Sequence, residues 1–152
     1  MIIVRLATHE DVQTIVRMGR AFWAAIPYSD VPYCPDSLAA TCQQMIAQGL
    51  LIYAEIDGAP AGALGALACH LFVNRDHLVA AELFWWVEPQ HRNTGVGKLM
   101  FRELEAAAKA AGVYRLSMMA VEGLELDKAA VMYERSGYSA TERTWNKRLW
   151  PQ

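Results

Sequence analysis

The apolar residues of this chain recur with two different periods, and each change of period marks a new element. Residues 2 to 6, "IIVRL", read as a short strand. Thr8 with Asp11 three residues on makes a helix start of the capping-box kind, after which Val12, Ile15, Val16, Gly19 and Phe22 recur at helical spacing up to a stop before Pro27. The loop "IPYSDVPYCPD" leads to a second helix over about Ser37 to Gln48, with Gly49 as its stop. "LLIYAEIDGAPAGALGALACHLF" predicts two strands around an "IDG" turn, an antiparallel hairpin. "VAAELFWWV" predicts a further strand whose nearly unbroken apolar character suits the middle of a sheet covered on both faces.

"GKLMFRELEAAAKAAG" is the clearest helix, with Leu99, Met100, Leu104, Ala107 and Ala111 on one side and Arg102, Glu105 and Lys109 on the other. "YRLSMMAV" then reads as a buried strand and "LDKAAVMYERSG" as a short helix ending at Gly137. "YSATERTWNKRLW" reads as closing strand material, not necessarily one unbroken strand. Strand, helix and strand around positions 80 to 121 predict a right-handed crossover with a parallel pair.

Composition narrows the class of protein. At 152 residues the chain is most simply one domain, residues 1–152, able to bury a core without disulfides or metal. A net charge of -2 gives no general attraction to nucleic acid, so an anionic ligand has to be caught locally. Cys34, Cys42 and Cys69 cannot all pair and lack C-x-x-C spacing, and His9, His70, His77 and His91 show no metal-ligand pattern. With neither a signal peptide nor a membrane span in the pattern, the expectation is a soluble, cytoplasmic protein without a metal.

The candidate chemistry centres on "HRNTGVGKLM", residues 91 to 100. A Walker A loop would need glycine where Arg92 stands and Ser or Thr where Leu99 stands; a dinucleotide fingerprint would need a small residue where Met100 stands. What remains is Arg92-x-x-Gly95-x-Gly97 at the mouth of a helix. Backbone N–H groups and the helix's positive end converge there, with Arg92 and Lys98 adding charge, which suits a pyrophosphate. A tight strand-to-helix connection needing glycine for geometry alone is the other reading. Upstream, Glu82 is the only acidic residue inside "AAELFWWV", so it is either a general base with a pKa raised by burial or a strand-end partner of an arginine.

Taken in order, "VRLATHEDVQTI", "EIDGAPAG", "VEPQHRNTGVGKLM" and "AAVMYERSGY" resemble the opening strand and helix, central hairpin, pyrophosphate loop and last helix of the GNAT superfamily of acyl-CoA-dependent N-acetyltransferases. The resemblance implies an α/β GNAT fold: a central, mostly antiparallel sheet with a splayed parallel strand pair, flanked by about four helices. It implies acetyl-CoA as co-substrate, with Trp85, Trp86 and Val87 giving backbone contacts to pantetheine and acetyl group. Arg92, Asn93, Thr94, Gly95, Val96, Gly97 and Lys98 would surround the pyrophosphate, in a cleft where strands ending near Val87 and Val121 part. Tyr133 matches the family's helix tyrosine, implied as general acid near the sulfur, a core tyrosine with a satisfied hydroxyl being the alternative. Two positions depart from the pattern: Leu126, beside Asp127, stands where the family often has Asn, and Thr94 where it often has Gly or Lys.

The function so implied is acetyl transfer to a primary amine by direct attack in a ternary complex, the alternative being a non-catalytic acyl-CoA-binding module. The acceptor is a small-molecule amine or a protein or peptide amine, with no nucleic acid or membrane partner. Trp23, Tyr28, Tyr33, Trp85 and Trp86 are either an acceptor pocket or plain core, and the loop holding Tyr28 and Tyr33 covers the acceptor side in the resembling family. An apolar C-terminal stretch with Trp145, Leu149 and Trp150 fits a homodimer contact or edge-strand packing equally.

Overall fold

The computed structural model describes residues 1–27, 29–121 and 126–150. Tyr28 lies outside the described residues. The chain forms two compact units, Met1–Met119 and Ala120–Gln152.

The first unit is a five-stranded sheet in sequence order, β1(Ile2–Leu6), β2(Leu51–Ile56), β3(Ala59–Leu71), β4(Asn74–Val87) and β5(Val113–Ser117). Every neighbouring pair is antiparallel except β4 and β5, which run parallel across the helical crossover. Three helices accompany it: α1(Val12–Ala25), α2(Pro35–Gln48) and α3(Val96–Ala110). Gly62 and Gly65 show how they are layered, because residues three apart on a strand face opposite ways. A Cβ at Gly65 would run into Met45 of α2, whereas one at Gly62 would meet Met100 of α3. So α1 and α2 cover one face, over Leu51, Tyr53, Ala63, Phe84 and Trp86, and α3 covers the other.

The entry to α1 is held electrostatically. The Asp11 carboxylate accepts the Thr8 backbone N–H at 2.7 Å and two guanidinium bonds from Arg5 at 2.7 and 2.9 Å. The Arg5 hydrogen bonds, followed by those from Thr8, hold its pKa below the usual carboxylate range against the opposing effect of burial. Asp11→Ala leaves these donors unpaired and is expected to cost about 2 kcal/mol in urea unfolding at pH 7.

In α3 the buried residues are Val96, Met100, Phe101, Leu104 and Ala108, a stripe at four-residue steps with Phe101 beside it. Leu99, expected in the core, is instead 41% exposed, one turn-fraction off that stripe. α2 begins at Pro35 rather than Ser37, proline being favoured in a first turn where its missing N–H costs nothing.

β4 begins at Asn74, five residues before the expected Val79, because Asn74 pairs with Leu71 across the exposed Phe72–Val73 turn and Leu78 with His70, with a register shift between the two rungs. It is also less covered than its composition predicted: Ala81 is exposed and Leu83 is 40% exposed. β5 stops at Ser117 instead of reaching Val121, since its last ladder partner is Ala81.

The second unit contains α4(Leu126–Arg135). Its end is a Schellman motif: the Tyr138 N–H returns to the Tyr133 carbonyl at 3.0 Å and the Gly137 N–H to Glu134 at 3.0 Å, with Gly137 at φ 89°. The Tyr133 and Tyr138 rings meet at 5.9 Å, the apolar contact that accompanies this cap. "YERSGY" is thus a structural sentence in itself, fixing the turn around Tyr133. Residues 138–150, expected to hold strand material, have no strand. Charged and polar residues interrupt the segment, and Trp145, Leu149 and Trp150 stand 84%, 81% and 84% exposed.

Candidate active site

The site is built on the second half of β4. Its ladder with β3 slips between Gly65 and Ala66, pairing Gly65 with Phe84 but Ala66 with Glu82, so Leu83 is an extra residue in a β-bulge. Alternation along an unbroken strand would put Glu82, Phe84 and Trp86 on one face. The bulge reverses this: Glu82 pairs with Ala66 and Trp85 with Leu64, and since Leu64 and Ala66 share a face, so do Glu82 and Trp85. Trp85 stacks on Phe101 of α3, with centroids 5.9 Å apart and planes at 13°, which fixes that face as the α3 side.

At the level of Glu82 the parallel pair ends, Ala81 opposite Ser117 being its last rung. Beyond it β4 continues to Val87 with β3 on one side only. The Glu88 N–H bonds to Ala61 of β3 at 2.9 Å, so strand alternation turns the backbone groups of Val87 and Trp85 to the side that β5 has left. Trp86 does the opposite, its carbonyl lying where a Cβ on Gly62 would come within 2.5 Å. Trp85 and Val87 therefore turn their backbone toward the gap, where Arg92 Nε takes the Val87 carbonyl, and Trp86 turns away from it.

Glu82 is 6% exposed, and its carboxylate accepts the Met119 N–H at 2.9 Å across the widening gap. Burial raises its pKa to about 7, one backbone hydrogen bond from Met119 only partly opposing it. No arginine pairs with it among the described salt bridges, which leaves a carboxyl poised to exchange a proton near neutrality.

The loop after β4 turns through Pro89–His91 into Asn93 at φ 68° and Gly95 at φ 87°, both left-handed, before α3 starts at Val96. Thr94 Oγ1 donates to the His91 carbonyl at 2.7 Å and closes the turn. The N-cap, Gly95, has no side chain to cap α3, the Val96 N–H donates to Thr94 Oγ1 at 3.4 Å, and the first helical return is Leu99 N–H to Gly95 O at 3.2 Å. No acidic residue stands in this first turn, which leaves the positive end of the helix unopposed there. Arg92, in the loop between β4 and α3, is fixed against the end of β4, its Nε donating to the Val87 carbonyl at 3.2 Å and its guanidinium lying 4.9 Å over the Trp86 ring. An uncapped helix end, a fixed guanidinium and Lys98 in the first turn fit the pyrophosphate of a coenzyme A ester.

The structure thus gathers Glu82, Trp85, Val87 and residues 92–98 along one strand–loop–helix run. Tyr133 belongs to α4 in the second unit, where its place is set by the Schellman turn. Two features lie beside this run, one that composition and spacing missed and one that the anticipated aromatic group marked in part. One is the Met119 N–H that holds Glu82, a backbone group without a sequence signature. The other is a cavity of about 330 Å3 on the α1 and α2 face, walled by Phe22, Trp23, Val31, Leu38, Leu83 and Phe84 among others. Trp23 and Tyr33 of the anticipated aromatic group line it; Trp85 and Trp86 do not. Among the described residues no three His, Cys, Asp or Glu side chains gather as a metal site, and no helix is long and apolar enough to cross a membrane.

The sequence model of the acetyltransferase (GNAT) family matches residues 16–138. No curated protein matches the chain. Among solved structures it is similar to a Trypanosoma brucei acetyltransferase, at 19% identity and TM-score 0.71 over 98% of this chain and 100% of that one. It is also similar to the aminoglycoside N-acetyltransferase AAC(6')-Iy in complex with CoA, at 18% identity and TM-score 0.74 over 97% and 94% of the two chains. A third is the ribosomal-protein-alanine N-acetyltransferase of Brucella melitensis, at 14% identity and TM-score 0.71 over 98% and 99%. These likenesses are of fold, the mixed sheet with one parallel pair.

Proposed function

The chain belongs to the acetyltransferase (GNAT) family, and from that premise we propose that it transfers the acetyl group of acetyl-CoA to a primary amine by direct attack in a ternary complex. The observation that carries the reading is Glu82: a buried carboxyl with its pKa near 7, set where β4 and β5 part and on the strand that leads to the uncapped end of α3.

Bound acetyl-CoA supplies an activated acetyl thioester. The first turn of α3 with Arg92 and Lys98 holds its pyrophosphate, and the outward backbone of Trp85 and Val87 continues the β4 ladder onto the pantetheine. The Val87 N–H polarises the acetyl carbonyl. An alkyl ammonium with a pKa of about 10.4 must lose a proton before it can attack, and Glu82 takes that proton, directly or through water. Tyr133 gives a proton to the departing sulfur, a role resting on its match to the family's helix tyrosine. Tyr133→Phe is expected to lower kcat by about 100-fold with little change in acetyl-CoA affinity, read by stopped assays beside calorimetry. An unaltered rate removes it from the mechanism.

The reading takes residues 1–152 as one GNAT domain, supported by a family match that runs across both compact units. Three free cysteines support a reducing, cytoplasmic setting. The test is CoA release coupled to mass-spectrometric detection of an acetylated amine. Acetyl-CoA binding with no release from any amine would instead mark a non-catalytic binding module.

A further inference from the structure

If an amine gives its proton to Glu82, the cavity on the α1 and α2 face determines what the rest of that amine looks like. Resting on the transfer reading above, we propose that the acceptor is a single amine on an uncharged apolar arm, aryl or branched alkyl, and that this cavity receives the arm.

The position of the cavity is the first argument. It touches β4 at Leu83 and Phe84, the two residues that follow Glu82. At about 3.3 Å of rise per residue, its floor lies one or two residues along β4 from the Glu82 backbone, on the other face of the strand from the carboxyl, and at this level β5 no longer flanks β4, so the two faces meet at the open edge. An arm seated there leaves its amine at the open gap.

The chemistry of the walls is the second. Phe22, Trp23, Val31, Leu38, Leu83 and Phe84 present carbon, and the polar atoms nearby already have partners. Trp23 Nε1 donates to the Val31 carbonyl at 2.7 Å, the Tyr33 hydroxyl donates to the Val16 carbonyl, and Thr41 Oγ1 donates to the Ser37 carbonyl at 3.0 Å. Ser37 in turn is engaged with Cys34, its side-chain and then its backbone hydrogen bond lowering the thiol's pKa. Sugar hydroxyls would find few groups to satisfy them here, and a buried polar group without a partner is costly.

Charge is the third. Among the described residues none that lines the cavity is acidic, and the Arg20 guanidinium lies 5.0 Å over the Tyr33 ring, placing positive charge beside that wall. A second ammonium on the acceptor would lose its water and meet a cation instead of a carboxylate. The volume of about 330 Å3 lies at the small end of ligand pockets and admits one ring or a short branched chain.

The experiment compares phenethylamine and isopentylamine with cadaverine, spermidine, kanamycin and a lysine peptide as acceptors for the full chain with acetyl-CoA. The expected kcat/KM for phenethylamine exceeds that for cadaverine by about 100-fold, and equal or reversed preference overturns the proposal. A second readout needs no turnover. Cys34 lines the cavity, and phenethylamine at ten times its dissociation constant should slow alkylation of Cys34 by N-ethylmaleimide about 10-fold, mapped by peptide mass. No protection overturns the assignment; protection without CoA release from any amine keeps the cavity's ligand class and overturns the transfer chemistry. Val31→Asp, at a position 62% exposed and so safe for folding, puts a carboxylate on the wall. It should narrow the preference for phenethylamine over cadaverine about 10-fold, and an unchanged ratio counts against the proposal.

Discussion

Replacing Glu82 by Gln is expected to cut kcat by about 100- to 1000-fold while acetyl-CoA still binds, because it removes the proposed general base and little else. The amide keeps an oxygen to accept the Met119 N–H, so the local geometry survives. In the parent, kcat/KM should rise with pH through about 7 as the carboxyl ionises, and that limb should vanish in the variant. Stability should move the other way. The folded-state pKa of about 7 lies above the ordinary 4.5, so the folded protein holds this proton more tightly than the unfolded chain. The associated stability is fully present below about 4.5 and is lost as pH rises through about 7, up to about 3 kcal/mol. Glu82→Gln should therefore be more stable than the parent at pH 8, and its urea midpoint should be flatter between pH 5 and 8. A slower enzyme with unchanged pH dependence of both rate and stability would mean that the carboxyl is not the titrating group.

The second large effect is expected at Gly95. Its φ of 87° lies in the left-handed region, and nothing stands within 4 Å of the place a Cβ would occupy. Strain, not collision inside the protein, is thus the barrier to a side chain. Valine there would pay about 1–2 kcal/mol in backbone strain or move the turn, and its methyls would project into the open space before the loop's N–H groups. Acetyl-CoA affinity measured by calorimetry should fall about 100-fold, with the fold retained. Gly97 is the built-in control. It is helical, and a Cβ on it would rest 3.5 Å from Trp85 and Val87, an ordinary contact, so Gly97→Ala should change affinity less than about 3-fold. Equal losses at the two positions would show that the loop does not act through its left-handed turn.

Local chemistry made most of the elements readable. Thr8 and Asp11 announce α1, Gly95 sets the start of α3, and Gly137 closes α4, each through backbone groups that must be satisfied within a few residues. What escaped depends on partners distant in sequence. β4 reaches back to Asn74 only because Leu71 of β3 pairs with it, and β5 ends where β4 stops answering it. The candidate site divides along the same line. Arg92, Gly95 and Lys98 could be picked out by spacing, whereas Met119 enters through a backbone N–H and the cavity walls come from α1, α2 and β4 together. The face of Glu82 was the least accessible, since one unpaired residue reverses the parity on which strand reading depends.

That extra residue, Leu83, separates two properties that a regular strand would tie together. Because the strand changes phase there, its acid looks toward α3 while Phe84 looks toward α1 and α2. On the proposed reading, the cavity wall at Val31, Leu38 or Phe84 can change without shifting the carboxyl proposed to take the amine's proton. A deletion of Leu83 would restore plain alternation along β4 and remove that independence in one step.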